Sequence, residues 1–131
     1  MKKRILLPVL CLLALCSCED ILEVQDISNE SVVLLAPAEN TVVTDSVVNF
    51  VWNEIPDVDI DAYRVQIATP SFESAAQIVL DSTLTLDSTF IGTRVSQKLS
   101  NRAYQWRVKA INSAFETAFT VNDFTVDVPS N

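Results

Sequence analysis

Apolar residues recur at every second position along most of the chain from residue 32 onward. Four stretches keep this alternation over six or more residues, namely 47–53, 63–68, 104–111 and 123–128. A period of two puts successive side chains on opposite faces of a strand, so one face of each stretch is expected to be buried. No stretch of ten or more residues has the 3.6-residue period of an amphipathic helix, and residues 71–76 could form one helical turn at most.

Shorter apolar stretches lie at 32–36, 77–86 and 90–91, and Asn, Asp, Ser and Pro separate the stretches. The chain has one glycine, so its turns must rest on these other residues. About seven short strands in this arrangement predict an all-β antiparallel sandwich over residues 32–131. The alternation places four large aromatic side chains in its core: Trp52, Tyr63, Tyr104 and Trp106.

The first seventeen residues have the layout of a secretory signal peptide. Lys2, Lys3 and Arg4 give a positive start, and residues 5–17 are apolar or small, interrupted only by Pro8. A helix of that apolar length would extend about 20 Å, which is shorter than the ~30 Å hydrocarbon core of a membrane. A signal peptide is therefore favoured over a permanent transmembrane helix.

The signal ends in Leu15-Cys16-Ser17-Cys18, which resembles the lipobox of bacterial lipoproteins. That motif has a branched apolar residue at minus three, a small residue at minus one, and then the cysteine that receives the lipid. Cys18 fits the lipidated position, whereas lipidation of Cys16 would place the large Leu15 at minus one. The resemblance implies removal of residues 1–17; the alternative is an ordinary cleaved signal with incidental cysteines. No cysteine follows Cys18, which excludes a disulfide framework.

Residues 18–31 form an acidic stretch that we expect to be a tether between the lipid and the domain. They include several acidic residues and no basic one. An acidic start after the lipidated cysteine resembles the surface-exposed outer-membrane lipoproteins of the Bacteroidetes, in which it acts as an export cue. The resemblance implies a location in the outer membrane or at the cell surface, while a merely solvated tether is the alternative. Fully extended, residues 19–31 would span about 40 Å.

The acidic balance of the chain decides which partners are expected. The chain has nine basic and seventeen acidic residues, and removal of residues 1–17 takes away three basic ones. The mature chain therefore has six basic and seventeen acidic residues, a net charge of −11. A field of this sign repels nucleic acid and anionic lipid surfaces, so the only membrane contact expected is the lipid anchor. A protein partner with a basic patch would suit this charge.

Residues 99–112, with the sequence LSNRAYQWRVKAIN, resemble the fibronectin type III family. A leucine, four residues, a tyrosine and an alternating strand ending in Ala-x-Asn form the signature of that family's penultimate strand. Trp52 and Tyr63 also match its core positions. The resemblance covers residues 32–128 and implies an immunoglobulin-like sandwich with strands A, B and E packed against C, C′, F and G. It also implies that the Tyr104 hydroxyl bonds to an upstream backbone group.

The residue types needed for most catalytic sites are missing from the chain. It has no histidine, and one glycine cannot build a phosphate-binding loop. Asp57, Asp59 and Asp61 are weak candidates for calcium ligands, because Ala62 and Ala68 stand where an EF-hand loop requires glycine and a bidentate glutamate. We therefore expect no cofactor, no metal site and no enzymatic activity.

Two phenylalanines, Phe72 and Phe115, lie in predicted loops and are candidate ligand contacts; the alternative is that they cap the ends of the core. By fold-level analogy, the sequence favours a non-catalytic, lipid-anchored module of the cell envelope for protein binding, adhesion or scaffolding. The alternative is a glycan-binding accessory lipoprotein of an outer-membrane polysaccharide-uptake system. Exposed aromatic side chains that can stack on sugar rings would favour this glycan-binding alternative over protein binding.

Overall fold

The computed structural model describes residues 23–87 and 92–130. The predicted signal peptide 1–17, the predicted lipidation site Cys18, the first residues of the predicted tether and the predicted extended segment 90–91 lie outside the described residues. Within those residues the protein is all-β and has no helix, which confirms the predicted β-sandwich. The strands are β1 (Leu34–Ala36), β2 (Thr41–Val43), β3 (Val47–Trp52), β4 (Ala62–Thr69), β5 (Gln77–Thr85), β6 (Arg94–Lys98), β7 (Arg102–Ile111) and β8 (Thr120–Val126).

The strands form two sheets, one of three strands in the order β1-β3-β6 and one of five in the order β2-β8-β7-β4-β5. Neighbouring strands are antiparallel except β2 and β8, which pair in parallel. The structure has eight strands rather than about seven because β2, which the alternation did not predict, follows Pro37. The predicted stretch 32–36 ends at Pro37 and joins the three-stranded sheet as β1, whereas β2 joins the other sheet. Proline has no N–H to donate to a ladder, so it suits the end of a strand.

Buried aromatic side chains join the two sheets. The four aromatics that the alternation places in the core are each exposed by 3% or less: Trp52, Tyr63, Tyr104 and Trp106. The rings of Trp52 and Tyr63 meet edge to face with 5.5 Å between their centroids. Such a pair contributes about 0.5–1.5 kcal/mol beyond its buried area. The expected hydrogen bond of Tyr104 is present, since its hydroxyl donates to the carbonyl of Ser100 at 2.8 Å.

The packed part of the chain begins before residue 32. Ile27 is fully buried in the core. The carbonyl of Gln25 accepts from Nδ2 of Asn112 at 2.8 Å, and its side-chain Oε1 accepts from the backbone N–H of Asp59 at 2.8 Å. Residues 25–31, predicted as part of a free tether, are therefore docked on the sandwich. A single isoleucine among polar residues carries no periodic signal, so the alternation could not reveal this contact.

The docked segment enters at one end of the sandwich, which we call the N-terminal end. The loops 53–61 and 112–119 lie at this end, and residues 70–76 and 99–101 lie at the opposite end. Residues 71–76 form turns and bends rather than a helical turn, and the apolar stretch 77–86 forms the single strand β5. Within the described residues no helix has the length and hydropathy needed to cross a membrane.

Candidate functional site

Polar and charged side chains gather on the solvent-facing side of the five-stranded sheet, which we call the outer face. Arg64 of β4 stands opposite Lys109 of β7, and Gln66 of β4 stands opposite Arg107 of β7. The residues between them on each strand point the other way and are buried in the core. Three of the six basic residues that follow residue 17 therefore share this face.

Arg107 lies on the outer face between two phenylalanine rings. Its guanidinium carbon is 3.9 Å from the ring centroid of Phe72 and 4.1 Å from that of Phe119. Its Nε donates to Oε1 of Gln66 at 2.7 Å. We call these four residues the Arg107 stack. The rings attract the cation and hold its orientation, so the guanidinium is positioned before a ligand arrives.

The loop that carries Phe72 is fastened to the sheet. The backbone N–H of Phe72 donates to Oε1 of Gln105 at 2.8 Å, and Nε2 of Gln105 donates to Oδ1 of Asp123 at 2.7 Å. At the start of the loop, Oγ1 of Thr69 donates to the carbonyl of Ala103 at 2.6 Å. These bonds tie the loop to β7, so the strand itself sets the position of the Phe72 ring.

Phe119 is a member of the stack that the sequence did not single out. Phe119 is the last residue of the loop 112–119. Asn112 stabilises the start of this loop, because its side-chain Oδ1 accepts from the backbone N–H of Phe115 at 2.8 Å. The sequence did contain a signal for Phe119. The inward side chains of β8 have even numbers, as in Phe124, so the alternation continued backwards places Phe119 on the outer side.

Ion pairs neutralise the two other cations of the outer face. Arg64 binds both carboxylate oxygens of Asp81 at 2.9 Å, and Nζ of Lys109 lies 2.5 Å from Oε1 of Glu116. No carboxylate of the described residues forms such a pair with Arg107. Arg107 is thus the cation of this face that retains capacity for a ligand.

The same contacts shift two pKa values. Hydrogen bonding from Arg64 lowers the pKa of Asp81 below its ordinary value. Burial lowers the pKa of Arg107, and the positive charge of Arg64 acts in the same direction. The guanidinium of Arg107 nevertheless stays protonated, because arginine does not lose its proton in proteins. The stack therefore presents a permanent and partly dehydrated cation.

The three aspartates of the loop 53–61 do not come together as a metal site. Asp57, Asp59 and Asp61 are exposed, and the part of the chain that the structure describes contains no group of three or more His, Cys, Asp or Glu side chains suited to a metal ion. The backbone N–H of Asp59 instead donates to the side chain of Gln25. The loop thereby holds the N-terminal segment in place.

The structure separates the two phenylalanines that the sequence proposed as ligand contacts. Phe72 lies on the outer face in the Arg107 stack. Phe115 lies at the N-terminal end, half-buried and packed against the core, where it lines a cleft with Val24 and Gln25. Phe115 thus packs against the core, as a capping residue would, and both phenylalanines stay candidate ligand contacts.

A polar groove of about 250 Å³ lies on the outer face beside the loop that carries Phe72. The side chains of Gln105 and Asp123 form part of its lining, and Asn40, Thr41 and Pro70 form another part. Amide, carboxylate and hydroxyl groups of this kind can hydrogen-bond to hydroxyl groups of a ligand.

Comparison with protein families and with curated proteins finds no match to this chain.

Proposed function

We propose that this chain is a non-catalytic, lipid-anchored module of the bacterial cell envelope that binds a partner protein through its outer face. The observation that carries the proposal is the Arg107 stack, a fixed arginine between two aromatic rings on an exposed sheet. Arginine and aromatic side chains dominate the binding energy of protein interfaces. The lack of histidine in the sequence favours a binding role over a catalytic one.

The division of strands between the sheets supports assignment to the fibronectin type III family. That family's strands A, B and E would be β1, β3 and β6, and its strands C, C′, F and G would be β4, β5, β7 and β8. The Tyr104 hydroxyl bond to Ser100 supports the same assignment. Modules of this architecture serve many functions, so the partner must be argued from the outer face itself.

Acylation of Cys18 would hold the domain close to the outer membrane. Because residues 25–31 are docked on the sandwich, only residues 19–24 would remain as a free tether. Six extended residues span about 20 Å, which is half the reach that the sequence suggested. The domain would then stay within about 20 Å of the membrane, with its outer face accessible to other envelope proteins.

The substitution Cys18→Ala tests the anchor. We expect the wild-type chain to fractionate with membranes and the variant to be released, because each buried methylene of the lipid contributes about 0.8 kcal/mol to anchoring. Cys16→Ala is the matched control and should stay with the membranes. Equal membrane recovery of Cys18→Ala and the wild type would contradict the anchor.

The charge distribution indicates which charge and which binding groups the partner protein is expected to have. The outer face is close to neutral because two of its three cations are paired, while most of the acidic residues of the mature chain lie elsewhere. The acidic remainder would steer a basic partner protein towards the chain. At contact, the Nη groups of Arg107 would bind a carboxylate or a backbone carbonyl of that partner.

A crosslinked pull-down from intact cells tests the binding face. We expect Arg107→Ala to reduce the recovered partner protein about tenfold or more, since a central arginine hot spot contributes about 2 kcal/mol or more. The control is Arg94→Ala, which removes the same charge from the three-stranded sheet. Equal losses for both variants would indicate a general charge effect and contradict a specific role of the Arg107 stack.

The polar groove beside Phe72 favours a second candidate function, the binding of a glycan. One face of the Phe72 ring is occupied by Arg107, so a sugar would depend mainly on hydrogen bonds to Gln105 and Asp123. A glycan ligand predicts loss of polysaccharide binding in Asp123→Ala and little change in Arg107→Ala. The protein-binding function predicts the reverse order for partner recovery.

A further inference from the structure

Strand β5 is the edge of the five-stranded sheet that is least protected against pairing with another strand. It has nine residues, whereas the other edge strands have three, three and five. Proteins protect sheet edges with short strands, proline, lysine or other charges. β6 begins with Arg94 and ends with Lys98, but β5 contains no proline and no basic residue, and Asp81 is its single charge. Its one register irregularity lies at Val79, outside the regular segment 81–85.

The free hydrogen-bonding groups of β5 can be identified from its pairing with β4. The backbone N–H of Leu86 donates to the carbonyl of Asp61 at 2.8 Å, and the register pairs Tyr63 with Leu84. Because the backbone groups of successive strand residues point to opposite sides, the even-numbered residues here face β4. The N–H and C=O groups of Asp81, Thr83 and Thr85 therefore point away from the sheet.

The electrostatics of this edge suit a second, equally acidic copy of the chain. Two molecules of net charge −11 repel each other over most of their surfaces. At β5 the charge of Asp81 is already balanced by Arg64 at 2.9 Å, and Thr83 and Thr85 are neutral and exposed. The β5 edge is thus a surface at which two copies can approach with little repulsion.

We propose that two copies of this chain associate through antiparallel pairing of their β5 strands about a twofold axis at Thr83. In this register Thr83 faces Thr83 of the second copy, and Asp81 faces Thr85 of the second copy. A register centred on Asp81 would place two carboxylates opposite each other, which is unfavourable. The Thr83 register separates them by four residues along the strand, about 13 Å.

This pairing joins the two five-stranded sheets into one continuous sheet. The contact is a small one of the transient class, below about 1,200 Å² in total, so association in solution is expected to be weak. Confinement of both copies to one membrane would raise their effective concentration. The twofold axis of this dimer is perpendicular to the continuous sheet. When the sheet lies parallel to the membrane, the N-terminal segments of both copies are at the same distance from the membrane. The dimer does not require the lipid anchor.

Disulfide trapping tests the register. The Cα atoms of a hydrogen-bonded antiparallel pair are about 5.5 Å apart, within the range that a disulfide bridges. We expect Thr83→Cys in the full-length chain, purified in mild detergent, to form a crosslinked dimer on oxidation. Thr85→Cys is the control, because its two sulfurs would stand more than about 10 Å apart in the same dimer. The parent chain, which has the same native cysteines as both variants, gives the background.

A pair of charge-matched variants tests the same interface without a crosslink. Thr83→Lys places two lysines opposite each other, whereas Thr85→Lys places each lysine opposite Asp81 of the second copy. We expect the dimer dissociation constant from sedimentation velocity to rise roughly threefold or more for Thr83→Lys and to fall for Thr85→Lys. Crosslinking at both cysteine positions alike or at neither, or equal effects of the two lysines, would overturn the proposal.

Discussion

At the scale of single residues, two side chains with equal burial can differ in their hydrogen-bond partners. Trp52 and Trp106 are both buried between the sheets. The Nε1 of Trp106 donates to the carbonyl of Pro37 at 3.1 Å, which ties the chain at its crossing from one sheet to the other. The Nε1 of Trp52 is the one buried side-chain N or O atom among the described residues that has no hydrogen-bond partner.

This difference predicts unequal costs for the same substitution at the two tryptophans. Trp52→Phe and Trp106→Phe remove the same atoms from the core, so both lower the free energy of unfolding. Trp106→Phe also removes a hydrogen bond, and we expect it to cost about 1 kcal/mol more. Urea denaturation of the two variants measures the difference. A Trp52→Phe variant as unstable as Trp106→Phe, or less stable, would contradict this account.

At the scale of elements, the N-terminal segment is part of the folded domain. Gln25 is held by the loops 53–61 and 112–119, and Ile27 fills space in the core. These contacts join the three segments at the N-terminal end. The segment therefore fixes the end of the sandwich from which a membrane tether would leave.

Ile27→Ala tests this contribution. Because the side chain is fully buried, we expect the free energy of unfolding to fall by about 2–4 kcal/mol. Val33→Ala is the control, since Val33 is 54% exposed and a change at an exposed position usually alters stability by less than about 0.5 kcal/mol. Equal melting temperatures for Ile27→Ala and the wild type would show that the segment acts as a free tether.

The elements also show how far the sequence could predict the fold. Alternation in β3, β4 and β7 identified the four core aromatics, because a half-buried strand repeats every two residues. It could not identify the parallel pairing of β2 with β8, since three residues carry too little pattern to specify a partner. The Arg107 stack joins Phe72, Gln66 and Phe119, which lie far apart in sequence. No local pattern encodes such a contact, although alternation within each strand puts Arg107 and Phe119 on the side away from the core.

At the scale of the whole molecule, the two sheet faces differ in a way that composition does not reveal. Residues 18–131 have a net charge of −11, yet the outer face collects three of their six basic residues, together with an aromatic pair. The outer side of the three-stranded sheet instead exposes aliphatic side chains such as Val33 and Val47. A partner that binds the outer face should therefore leave the opposite sheet accessible.

Site-specific photocrosslinking in intact cells is the most direct test of partner binding through the outer face. A photoreactive phenylalanine analogue would replace Val121, which stands opposite Arg107 and is 41% exposed, or Val47 on the other sheet, which is 48% exposed. We predict that the Val121 probe captures one partner protein, that the Val47 probe does not, and that Arg107→Ala abolishes the capture. Capture of the same protein from both positions, or capture that persists in Arg107→Ala, would contradict binding through the outer face.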